Sequence, residues 1–151
     1  MSEVRRIAGQ LKRAFQGEAW HGPSLKELLA GVTAEQAARH PIADAHSIWE
    51  LALHISAWEG AALKRITGEY VEAPDEGDWP AVDDQSETAW QDTLAQVERR
   101  HLELRGALFH LGDEQLDKRL AEDKESAYFL LHGVIQHMLY HAGQIALLKK
   151  I

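Results

Sequence analysis

With 151 residues, a net charge of −8 and no cysteine, the chain cannot be a disulfide scaffold, a thiolate metal site or a protein-thiol nucleophile. Sixteen Lys and Arg stand against 24 Asp and Glu, with no basic run longer than Arg99-Arg100 or Lys149-Lys150. The electrostatic term that drives binding to nucleic acid or anionic membrane therefore has the wrong sign.

The length suits a single domain, 1–151, able to bury a real core. The pattern is helical almost throughout. A first long helix is expected over 3–18, with Val4, Ile7, Leu11, Ala14 and Phe15 on its apolar face. Met1-Ser2-Glu3-Val4-Arg5-Arg6 passes straight into that helix without a leader-like apolar run, so the expected location is the cytoplasm. Gly22-Pro23 breaks the pattern, and Ser24 is placed to cap a short helix over Leu25–Leu29. Thr33-Ala34-Glu35-Gln36 reads as a second short start, closed by Pro41. Ser47-Ile48-Trp49-Glu50 reads as a capping box opening the second long helix, which runs through Leu51, Ile55, Trp58, Ala62 and Ile66 to Gly68.

Residues 69–85 hold Pro74, Gly77 and Pro80 among many acidic side chains, and read as a long crossing loop. Such a length lets the second and third long helices run parallel. The third carries Trp90, Leu94, Val97, His101, Leu104 and Leu108 at 3-4 spacing and ends at Gly112; the fourth is expected over 127–151. The expected fold is all-α, a four-helix bundle with a long crossover between helices two and three.

His137 and His141 lie one turn apart on the stripe Leu130, Val134, His137, His141, Ile145, Leu148, which is expected to face the core. Two inward imidazoles need partners: neighbours or water would serve, and a metal ion would suit both rings. His54, in the middle of the second long helix beside Leu51, Ile55 and Trp58, is the best third ligand. Three neutral imidazoles suit zinc, nickel, cobalt or iron, with positions left for water or substrate.

A mid-helix His followed in the last helix by His-x-x-x-His and Gly143-Gln144-Ile145 resembles the DinB/YfiT-like metalloprotein superfamily, a helical-bundle family. The phrases Trp20-His21-Gly22-Pro23-Ser24-Leu25, His46-Ser47-Ile48-Trp49-Glu50-Leu51 and Tyr140-His141-Ala142-Gly143-Gln144-Ile145 are similar to those of its members. The resemblance covers nearly the whole chain. It implies a long-crossover bundle, a divalent metal on His54, His137 and His141, and a homodimer. Relatives of this type include S-transferases and isomerases that use bacillithiol, mycothiol or similar thiols, and metal-dependent hydrolases.

Other residues have competing readings. Glu50, one turn before His54, can be drawn as a general base, although its capping-box place already accounts for it. Gln144 can hydrogen-bond a ligand ring or pack against helix two. His101 reads as a bundle-edge residue with its polar side toward solvent or a cavity mouth, or as a fourth ligand. His132 falls outside the metal group; His21 and His46 read as surface residues that can border an entrance; His40 and His110 sit at helix ends. Trp49, Trp58 and Trp90 fit the core better than a substrate platform.

His137-Met138-Leu139-Tyr140-His141 lacks the glutamate of the His-Glu-x-x-His protease motif, which argues against a peptidase. The leading expectation is a metal-dependent transferase that uses a low-molecular-weight thiol on a small-molecule substrate. The alternatives are a metal-dependent hydrolase and a non-catalytic, stress-related metal-binding protein.

Overall fold

Hydroxyl caps set where most of the helices begin. Ser24, Thr33 and Ser47 each accept a hydrogen bond from the backbone N–H three residues on, and Glu27, Gln36 and Glu50 reach back to complete capping boxes. Ser86 and Ser126 do the same work without the reciprocal acid. The computed structural model describes residues 1–151 as seven helices and no strands. They are α1 (Glu3–Gln16), α2 (Leu25–Leu29), α3 (Ala34–Ala38), α4 (Ile48–Ile66), α5 (Glu87–Leu108), α6 (Asp113–Leu116) and α7 (Ala127–Leu148). No helix is long and apolar enough to cross a membrane.

Three expected boundaries move inward; the third long helix stops at Leu108 rather than at Gly112, which is instead the N-cap of α6. The first helix stops at Gln16 rather than 18, because Gly17 takes φ +133°, which a side-chain-bearing residue rarely adopts. The last stops at Leu148, with Lys149 as its C-cap. The one-turn α6 was not expected; its Asp113 carboxylate accepts from the N–H groups of Glu3 and Val4, both at 2.9 Å, and so supports the start of α1.

The four long helices form a ring of contacts. α4 packs on α5 and α7, and α1 packs on the same two helices from the other side. One apolar cluster fills the space between them, built on Ile7, Leu11 and Phe15 of α1, Trp49 and Ile55 of α4, Trp90 and Leu104 of α5, and Met138 and Ile145 of α7. Trp90 also donates its indole N–H to the Val32 carbonyl at 2.7 Å, tying α5 to the turn before α3.

Contacts between α4 and α5 advance together along both chains. Trp49 donates to Thr93 Oγ1 at 2.9 Å, and ten residues later Glu59 meets His101. The two helices therefore run in the same direction. Against α7 the order reverses: Arg65 meets Glu125 at one end, and His54 meets His137 in the middle.

The core-facing stripe of α7 differs from expectation by one position. Leu131, Val134, Met138, Ala142 and Ile145 face the cluster, while Leu130 and His137 sit at its edge, only partly covered. The helix meets core on one side and a cavity on the other, so an apolar stripe drawn through His137 mixes the two.

Candidate metal centre

Three imidazoles from two helices converge at the α4–α7 contact. His137 Nε2 lies 2.8 Å from His54 Nε2 and 3.1 Å from His141 Nε2. All three ligand atoms lie within 4.8 Å of one another, and no other group of three or more His, Asp or Glu side chains is gathered this way. His54 and His141 are buried, at 5% and 6% exposure.

The far sides of two rings fix which nitrogen carries the proton. His54 Nδ1 lies 2.6 Å from the Asp78 carbonyl oxygen, and His141 Nδ1 lies 2.5 Å from Gln144 Oε1. Carbonyl oxygens only accept, so both Nδ1 atoms are assigned as N–H donors and both Nε2 atoms present lone pairs inward. A single proton on His137 Nε2 would serve one neighbour well and leave opposed lone pairs on the other side. A cation among the three nitrogens resolves that repulsion.

The spacing agrees. Two nitrogens each about 2.1 Å from one ion, at a right or tetrahedral angle, are separated by roughly 3.0–3.4 Å. The residues present therefore fit a divalent ion. Burial, then the neighbouring rings of His141 and His54, pushes the His137 pKa down to about 4. Burial also lowers His141, against the hydrogen bond to Gln144. At neutral pH His137 is accordingly uncharged, with one ring nitrogen free to bind a cation.

Two contributors come from the crossing loop. Gly77 closes the turn 74–77, its N–H on the Pro74 carbonyl at 3.0 Å, with φ +89°. Asp78 and Trp79 follow directly. Besides the carbonyl on His54, Asp78 accepts the Trp58 indole N–H through Oδ1 at 2.7 Å. Trp79 stacks on His54 with centroids 3.8 Å apart and an 8° tilt, and on His46 at 3.4 Å and 9°. Neither residue was singled out in the sequence. The available signal was a lone Trp in an otherwise acidic, Pro- and Gly-punctuated loop, a place where an aromatic ring has no local reason to be.

The remaining candidates separate. Gln144 is in contact with His141, as one of its two readings required. Glu50 is not among the residues lining the cavity beside the triad. Its Oε2 takes the Ser47 N–H at 2.8 Å and faces His40 and His46 at 3.0 and 3.3 Å. Burial alone would raise its pKa, but the Ser47 and His40 interactions prevail and hold it below the ordinary value. His101 is the clear departure from expectation. It is fully buried rather than at an edge, stacked on Phe15 at 4.0 Å, with Nδ1 3.1 Å from Glu59 Oε1. It joins a carboxylate across the core and not the triad. Trp49 and Trp90 are core, whereas Trp58 lines the cavity.

That cavity, about 380 Å³, is bounded by His54 and His137 on the triad side and by Trp58, Phe129, Leu130 and Val134 along its walls. Ligand sites of this kind combine apolar walls with a few fixed polar groups. An all-helical scaffold that aims three histidines from facing helices at one point, next to such a cavity, defines a helical protein with a histidine cluster able to hold a metal. The DinB superfamily model matches residues 19–145, and the chain belongs to that superfamily. No curated protein and no solved structure matches it.

Proposed function

We propose that His54, His137 and His141 hold one divalent ion (zinc, nickel or iron), and that the protein is a metal-dependent transferase acting through a low-molecular-weight thiol. The observation that carries this reading is the convergence of three imidazole Nε2 atoms, two of them with assigned inward lone pairs, at the wall of a largely apolar cavity. A divalent ion supplies positive charge that lowers the pKa of a thiol or of water near it. The chain's own residues prepare the place. The Asp78 carbonyl and Gln144 hold two rings with Nε2 inward, and Trp79 covers one face of His54 against water. With no cysteine in the chain, the sulfur must arrive on a small molecule.

A metal-dependent hydrolase is the second reading, favoured by Asp78 and Glu125, two acids among the residues that line the cavity. The same proposal takes 67–86 as the crossover of a four-helix bundle and 1–151 as one domain, supported by the common direction of α4 and α5. It also includes a homodimer, for which the exposed Tyr140 and Leu147 of α7 offer an apolar face.

The test is metal-loaded protein offered bacillithiol, mycothiol, glutathione or cysteine with an electrophile such as monochlorobimane. Turnover that requires one of these thiols is expected. Turnover with none of them leaves the non-catalytic binding protein ahead, and hydrolysis without thiol favours the second reading.

Gln144→Ala should weaken metal affinity by about 10–100-fold, because His141 loses the acceptor that fixes its tautomer. Competition against a chelator of known affinity would measure it. Unchanged affinity would leave Gln144 as packing alone.

A further inference from the structure

The position of this proposal rests on the metal-site reading, but its chemistry does not. We propose that the cavity beside the triad selects a compact apolar molecule bearing a cationic amine, received by the carboxylates of Glu125 and Asp78. The walls supply apolar contact through Trp58, Phe129, Leu130 and Val134. The charged side chains on the lining are two, and both are acids.

The partners of those acids decide what they can still bind. Glu125 makes its ion pair through Oε1, 3.3 Å from Arg65 Nη1. Asp78 accepts the Trp58 N–H through Oδ1, which also lies 3.4 Å from His54 Nδ1. Each carboxylate keeps an oxygen uncommitted. Each nitrogen of the nearby cation is engaged. Arg65 is buried, and gives Nε to the Val71 carbonyl at 2.9 Å, Nη2 to the Glu72 carbonyl at 3.1 Å and Nη1 to Glu125. It does not line the cavity and cannot turn to receive a substrate carboxylate without abandoning its three part-buried hydrogen bonds. A ligand with an acidic body therefore meets two acids and no free cation away from the triad, whereas an amine meets complementary charge.

Full-length protein, both metal-loaded and after chelation, is titrated calorimetrically with benzylamine, benzyl alcohol and benzoate, which share one apolar body. In the metal-free state benzylamine should bind about tenfold or more tightly than benzoate. Glu125→Gln keeps an acceptor for Arg65 and should weaken benzylamine roughly tenfold while leaving benzyl alcohol unchanged. Asp78→Asn keeps the acceptor for Trp58 and gives a second, independent reading of the same effect. Metal content, measured separately, reports on the triad. A protein that takes up no metal on loading, yet keeps the amine preference, would overturn the metal reading and leave this one standing. Benzoate binding as tightly as benzylamine without metal, no binding of any of the three, or benzylamine affinity untouched by both substitutions would overturn the proposal.

Discussion

His137→Ala is expected to remove bound metal, from about one ion per chain to less than roughly a tenth, because it deletes one of the three proposed ligands. His137 is the ring whose Nε2 is within 3.1 Å of both other Nε2 atoms, so its loss leaves a two-ligand remnant. The fold should persist. The ring is only partly buried, and the cluster around Phe15, Trp49, Trp90 and Leu104 takes nothing from it. Helical circular dichroism should therefore match the parent. The melting temperature should stop responding to added metal, whereas the parent should gain about 2.7 kcal/mol at a free concentration near 100 times Kd. Its surroundings push the His137 pKa down to about 4, so the partly buried ring costs stability as pH falls below its ordinary value near 6.5, and His137→Ala should raise the metal-free melting temperature relative to the parent at pH 5. Elemental analysis decides the matter: full occupancy in His137→Ala would remove the triad from consideration.

The sequence showed the parts of this site that are local and hid the parts that are not. Capping boxes at Ser24, Thr33 and Ser47 lie within four residues, so their chemistry was readable in line. The His137–His141 spacing was readable for the same reason, and His54 followed from its mid-helix place among apolar neighbours. The acceptor that orients His54 is a main-chain carbonyl 24 residues away, which leaves no side-chain signature. Trp79 is brought to His54 by the path of the crossing loop, and a loop's path is set by what it packs on rather than by periodicity. The misplaced stripe of α7 has a similar origin. A 3.6-residue repeat finds the apolar faces of a helix but does not distinguish the side that meets the core from the side that walls a cavity. Only His101 was placed in the wrong environment altogether, because its partner Glu59 lies on another helix and a buried acid is not announced by the residues beside it.

That pair gives the largest expected effect on stability. Glu59 is 1% exposed and His101 0%, and their single contact is Glu59 Oε1 to His101 Nδ1 at 3.1 Å. Glu59 Oε2 and His101 Nε2 are buried without a partner, as is Ser56 Oγ one turn earlier on α4. His101→Ala strands an acid in the core and opens a void beside Phe15, so it should cost about 3–5 kcal/mol. Glu59→Gln should behave differently, since the amide oxygen can still accept from His101 while the charge is gone. Burial raises the Glu59 pKa, with the hydrogen bond to His101 opposing it. A carboxyl whose pKa is raised on folding contributes its stability below the unfolded value, near 4.3, and loses it as pH climbs through the folded value. The stability of Glu59→Gln relative to the parent should therefore rise with pH across that window and then level off. Adding Glu59→Gln to His101→Ala should recover part of the loss, because the double variant no longer buries an unpaired charge. Denaturant midpoints of the parent and three variants between pH 4 and 8 would measure all of this. Parallel pH curves for parent and Glu59→Gln, together with a double variant no more stable than His101→Ala, would mean that the acid is not what makes the pair costly to break.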